Sequence, residues 1–407
     1  MKEGSWGYKQ SIVIGITLLL LGLAMQVLVG NQFKINLQWP FNFIVFSIHI
    51  VVCIFFFLFF KTTAFVRWIT RVPASIVSIV MVLFLTMLIG TIPQTVENNN
   101  NAIIELLGLN KITQTWYFLL VVFFFSTCLV MVSIKRVSLG FISNLGFIAN
   151  HLGLYIALNA GIFGSGDLIR YTMELKEGKI SWVANDANNK AVVMPIAIVL
   201  EDFVMDEFPP KLAIINQKGD LLTKKGKNLF LVNKGLKAEL ENNYQVEVIS
   251  YIPEAVKFDS SYRSVNEEGA TPAVYVKVSN DKMNFKSEGW LASGTFLYDQ
   301  QYIKLDKHQY LIVTKPEPKK FSSKIKIFTV DKKEYQTVLE VNKPFEVMGW
   351  KLYQLSYDER FGKYSTTSTI ELVKDPWLPV VYLGVFMMIS GAVYLFFIGN
   401  IKSKNND

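Results

Sequence analysis

The chain has 407 residues, 51% hydrophobic and 14% aromatic, with a formal net charge of +8. The apolar residues are gathered in runs, which excludes a single soluble domain. Two cysteines and three histidines restrict redox and metal chemistry to very few positions.

Uncharged stretches occur at 11–30, 42–60, 74–93, 116–134, 141–163 and 377–398. Each approaches or exceeds the ~18 residues that a membrane-spanning helix needs. The sequence therefore predicts a polytopic α-helical membrane protein with six transmembrane helices. One large polar segment, 164–376, lies between the fifth span and the sixth. Lys2 and Lys9 precede the first apolar run as they would in a signal peptide. That run is long, however, and no small-x-small site follows "LAMQVLVG", so it is expected to stay as a span.

Orientation follows from the basic residues. With a cytoplasmic N-terminus, the inner segments hold Lys2, Lys9, Lys61, Arg67, Arg71, Lys135, Arg136, Lys402 and Lys404. The short outer loops hold only Lys34 and Lys111. Both termini are then expected in the cytoplasm, and 164–376 in the periplasm or its equivalent. Outside that segment the only acids are Glu3, Glu97, Glu105 and Asp407, so most of the positive charge belongs to the membrane part. The charge is a topology signal and implies no nucleic-acid partner.

The 164–376 segment reads as β-rich. In "TPAVYVKVSN", Val274, Val276 and Val278 fall on one face, with Tyr275 and Lys277 on the other. "SSKIKIFTV", "EYQTVLEV", "WKLYQLSY" and "TSTIELV" continue the pattern, which predicts sheets wet on one face and packed on the other. The stretch "VVMPIAIVLEDFVMDEFPPK" is ambiguous, although Pro195, Pro209 and Pro210 argue against one continuous helix. "ENNNN" at 97–101 reads as a short outer loop.

Chemistry-bearing motifs are sparse. Cys53 and Cys128 lie inside spans, no CxxC or CxxCH occurs, and so neither a thiol oxidoreductase nor a c-type cytochrome is expected. No GxSxG, HExxH, P-loop or GxGxxG stands in a supporting context. His308, in "KLDKHQY", reads as a solvated surface residue with no second histidine or cysteine to complete a metal site. No charged residue lies within a span, which counts against ion-coupled transport.

Two histidines remain, both in spans. In "NHLGLYIALNAGIFGSGD", Asn150, Gly153, Ala157, Ala160 and Gly161 fall within about 60° of Gly146 at ~100° per residue. This small-residue seam predicts close approach of another helix. His151 points elsewhere, beside Asn144, Tyr155 and Leu158, toward something other than the seam's partner. It either hydrogen-bonds a neighbouring helix or serves as an axial ligand to haem iron. His49, in "FSIHIVVCIFFF", admits the same two readings, and packing is favoured because no seam surrounds it.

The order of these segments resembles the ResB/CcsB family of system II cytochrome c biogenesis. "MLIGTIPQ" (87–94) ends one span, "WYFLLVVFFFSTCLVMVSIKR" forms the next, and "ANHLGLYIALNAGIFGSGD" the third. "GWKLYQLSYDERFGKYSTTSTIELVKDPWLPVVYLGVFMMISGAVYLFF" (349–397) closes the outer segment and leads through Asp375 and Pro376 into the last span. The resemblance covers roughly 74–398. It implies a subunit, non-catalytic or co-catalytic, of a cytochrome c haem lyase complex, carrying reduced haem b across the inner membrane for attachment to apocytochrome c. It makes His151, in the "HLG" segment, the axial ligand. It also implies a ResC/CcsA-type partner, because the Trp-rich motif "WGxWWxWD" is absent from this chain. Two departures stand out: residues 1–60 add an N-terminal hairpin, and Trp377 replaces the glycine expected after "DP". The domains expected are this hairpin, a three-helix membrane region at 61–163, the outer β-rich domain at 164–376, and a last helix with its tail at 377–407. A membrane-anchored scaffold or sensor, whose β domain binds a protein partner without haem, is the alternative.

Overall fold

The computed structural model describes residues 6–30, 37–94, 101–222, 229–265 and 267–404, with side chains as far as Phe397. Lys2, Glu3, Lys34, Glu97 and Asp407 lie outside the described residues, as do 97–100 of "ENNNN" and the side chains of Lys402 and Lys404. The chain divides into two compact units, one of Met1–Leu168 with Asp375–Asp407 and one of Ile169–Lys374.

The first unit is helical: α1 (Tyr8–Val29), α2 (Phe41–Phe60), α3 (Ala64–Ile69), α4 (Val72–Thr91), α5 (Ala102–Leu107), α6 (Trp116–Ser138), α7 (Leu145–Gly164) and α8 (Leu378–Lys404). Among the described residues, six helices (α1, α2, α4, α6, α7 and α8) are long and apolar enough to cross a membrane. The protein is a multi-pass membrane protein. Helix starts follow ordinary capping chemistry: Thr63 and Thr115 accept from the backbone N–H three residues on, and Pro73 sits in the first turn of α4.

Helix α6 forms the axis, burying Val121, Phe124, Phe125, Cys128, Leu129 and Met131 against α1, α2, α4 and α7. The N-terminal hairpin is built into this bundle. Gly22 lets α1 lie against the backbone of Tyr117, Gly15 makes room for Val77 and Met81, and the Trp68 indole N–H donates to Ser11 Oγ at 2.8 Å. Burying that indole and hydroxyl as a pair avoids the penalty of leaving either unsatisfied in a dry interior.

The small-residue seam of α7 meets the antiparallel α8. Gly146 and Gly153 face Gly391 and Gly384, a spacing of seven on both helices. A Cβ on Gly153 would lie 2.5 Å from Met388 N, and one on Gly384 would lie 2.5 Å from Ala157 N. Asn150 Nδ2 donates to Met388 O at 2.9 Å across this contact. Gly161, expected in the seam, has nothing within 4 Å of a built Cβ. The reason is the sevenfold repeat. A seam with period 3.5 drifts ~20° per heptad on a 3.6-residue helix, so it passes through the buried Ala160 and leaves Gly161 aside.

The second unit is antiparallel β. Its eight-stranded sheet runs, in spatial order, Glu334–Glu340, Pro318–Thr329, Ala191–Glu207, Ile180–Asn185, Ile169–Lys176, Thr367–Lys374, Trp350–Tyr357, Phe345–Val347. The first and last strands of the unit are neighbours, with Ile169 opposite Lys374. Alternate residues such as Met173, Leu175, Ile198, Leu200, Ile370 and Leu372 make one core. A five-stranded and a four-stranded sheet share a second core, where Val274, Val276 and Val278 meet Leu212, Ile214 and Leu311. The ambiguous segment is the long strand Ala191–Glu207, ended by Phe208 and two prolines. Pro195 falls at a register break between the Val183–Val193 and Ser181–Ile198 pairs, one residue beyond where Thr329–Ile196 ends the other ladder. No ladder asks it for the N–H it lacks.

Candidate functional site: a cavity beside His151

His151 lies less than two turns from the start of α7. Its Nδ1 stands 3.0 Å from Phe147 O, one turn back on the same helix. A carbonyl can only accept, so in the neutral imidazole that nitrogen carries the proton and Nε2 keeps the lone pair. Nε2 has no hydrogen-bond partner among the described residues. This is the arrangement in which a backbone carbonyl fixes the tautomer and ring plane of a ligating histidine. The half-buried imidazole stacks on the Phe147 ring, with centroids 3.8 Å apart and planes at 18°.

The imidazole lines a cavity of about 580 Å³, within the ~300–1,000 Å³ of small-molecule sites. Val72, Pro73, Val132, Leu139 and Phe147 give it apolar walls, and Arg71, Lys135 and Arg136 add three cations. The walls come from the start of α4, the end of α6 and the first half of α7. Lys135 Nζ donates to Thr70 O at 3.2 Å, and Arg136 lies over the Phe147 ring at 4.7 Å. No carboxylate among the described residues pairs with any of the three cations.

His49 is placed differently. Its Nδ1 lies 2.9 Å from the Tyr155 hydroxyl and its Nε2 3.1 Å from Thr127 Oγ1, so both ring nitrogens are engaged. Tyr155 is wholly buried, and its carbonyl accepts from Asn159, which also bonds Ser126. Metal ligation by His49 would require breaking one of these bonds. His308 is exposed in a turn where its backbone N–H donates to Asp306. Cys53 and Cys128 are buried as free thiols in the helical unit.

The segments that carry the resemblance have structural work to do. Gln94 receives the N–H of Ile112 and donates to Ile92 O and Leu109 O, closing the connection between α4 and α6. Gln354 is buried and donates to Ser368 Oγ, which Ser323 also reaches at 2.7 Å. Asp375 caps α8 by accepting from Trp377 N and Leu378 N, and Pro376 falls where no intrahelical donor is needed. Trp377 packs on Gly164 and donates its indole N–H to Asp167 at 2.7 Å. Asp167 also accepts from Trp39 N and Asn42 Nδ2. Burial alone would raise the Asp167 pKa, but these three donors together hold it below the usual carboxylate range. The Asp167 cluster thus ties α2, α7 and α8 together at one end of the bundle, and it was not singled out in the sequence.

A family profile described as the ResB-like family matches residues 138–370, more than half of the chain. The protein belongs to the ResB-like family. This places it in cytochrome c biogenesis in general terms, and ResB-like proteins generally work with a CcsA/ResC-type partner. The matched segment holds α7 with His151 and nearly all of the β unit, while α1–α6 and α8 lie outside it. No curated protein matches the chain.

Proposed function

We propose that this ResB-like protein is the haem-delivery subunit of a system II cytochrome c synthase, with His151 as an axial ligand to haem in transit. The observation that carries this reading is the unclaimed Nε2 of a carbonyl-fixed imidazole beside a largely apolar cavity of small-molecule size. An uncharged imidazole ligates iron without placing a cation in the bilayer. Phe147 holds the ring plane, and the α7–α8 seam keeps the backbone beneath it fixed. The opposing ligand and the Trp-rich handling motif belong to a ResC/CcsA-type partner, and apocytochrome c is the acceptor. Haem supplies the iron and the vinyl groups that become thioethers; this chain binds and orients it.

Purified from a haem-replete host, the full chain should show the absorption spectrum of histidine-ligated haem. The isolated Ile169–Lys374 unit should show none, since His308 is its only histidine and it has no cysteine. Stoichiometric haem on that fragment would overturn the assignment.

The proposal includes an orientation, with the Ile169–Lys374 unit extracytoplasmic and both termini cytoplasmic. It rests on the distribution of lysine and arginine. Reporter fusions near residue 250 should be active only for a periplasmic-type enzyme, and fusions near 65 and 138 only for a cytoplasmic one. A cytoplasmic signal near 250 would invert the scheme.

A further inference from the structure

We propose that Arg71, Lys135 and Arg136 form a clamp for the two propionate carboxylates of haem, so that the cavity selects a porphyrin dicarboxylate presented from the basic side of the bundle. This rests on the haem reading of His151 and adds what orients the substrate. The three cations come from two separate helix ends, 64 residues apart in sequence, yet line the cavity into which His151 faces. Among the described residues, Lys135 and Arg136 donate only to neutral oxygens, Thr70 O and Asn144 Oδ1, and Arg71 has no side-chain bond. The acids of the helical unit that are described, Glu105, Asp167 and Asp375, belong to outer connections by the charge rule and give no counter-ion here.

Three like charges around one cavity repel each other unless an anion joins them. Charge-assisted bonds to carboxylate are among the stronger hydrogen bonds, and arginine suits the fork geometry. The cavity thus combines cations for carboxylates, apolar walls for a macrocycle and an imidazole for a metal, and haem is a ligand that would engage all three. A lipid phosphate would satisfy the cations alone, leaving the imidazole and the apolar walls without a role.

The test uses the full chain in phosphatidylcholine nanodiscs, titrated with iron protoporphyrin, its dimethyl ester, and metal-free protoporphyrin. The wild-type protein should bind the iron diacid at least roughly tenfold more tightly than the diester. R71Q/R136Q, and the triple variant with K135Q, should bind both at about the affinity of the diester. If these variants keep the wild-type preference for the diacid, the clamp is refuted and the cations belong to lipid headgroups. Metal-free protoporphyrin separates the clamp from ligation by His151. A His151→Ala protein that loses the iron–imidazole spectrum should still prefer the metal-free diacid over its ester. If His151→Ala keeps the iron spectrum while R71Q/R136Q loses the preference, the ligand assignment fails and the clamp stands. If the wild type binds neither iron porphyrin saturably, both fail.

Discussion

Changing His151 to Ala should strip haem from the purified protein, lowering retained haem roughly tenfold or more, while the chain stays folded in the membrane. The structural cost is small. Among the described residues the imidazole bonds only its own helix, at Phe147 O, and alanine is the better helix former. What disappears beyond that is one stacking contact worth about 0.5–1.5 kcal/mol. Added imidazole should restore part of the haem and of cytochrome c maturation, because a free ligand can fill the vacated coordination position. His49→Ala should behave in the opposite way. It removes two hydrogen bonds worth about 0.5–1.5 kcal/mol each, leaving the Tyr155 hydroxyl without its His49 partner while Thr127 keeps its bond to Phe123 O, so stability falls while haem content holds. Haem per protein and thermal unfolding, measured on both variants, separate the two histidines. Unchanged haem and normal maturation in His151→Ala would reduce that residue to a helix-packing group.

The spans, the β character of the 164–376 segment and the α7 seam were legible because each rests on a local period: a run of apolar residues, an alternation of two, or a spacing of small side chains. The cavity was not. Arg71 and the Lys135–Arg136 pair read as topology markers, and only the packing of α4, α6 and α7 brings them to the edge of one space. The same limit explains His49. Its two partners, Tyr155 and Thr127, sit 106 and 78 residues away, and nothing in "FSIHIVVCIFFF" announces them. The wheel for α7 went astray at Gly161 because it assumed a straight helix against a straight partner, whereas the contact line follows a period of 3.5. Trp377, where the resemblance leads one to expect glycine, completes the Asp167 cluster with its indole, a long-range contact that no local rule predicts.

The second large effect is expected at Gly153. Leu at this position would drive a side chain into Met388 N and Gly384 O, which a built Cβ already approaches to 2.5 and 2.6 Å. These are backbone atoms and cannot swing aside, so α7 and α8 must separate. In a bilayer no hydrophobic gain pulls the helices back together, because lipid replaces helix at little cost. Separation would also break the Asn150–Met388 bond and open the Gly384–Ala157 contact. The loss should exceed the ~1–3 kcal/mol typical of overpacking, and would be read as lower yield of folded protein and a lower unfolding temperature in detergent. Gly161→Leu is the matched control. It makes the same chemical change two turns further along the same helix, into open space, and should cost little. Equal damage from both substitutions would mean that leucine itself is not tolerated in α7. Damage from Gly153→Leu alone would show that the close approach of α8 is what this helix requires. Haem retention should fall with it, because the seam fixes the backbone from which His151 projects.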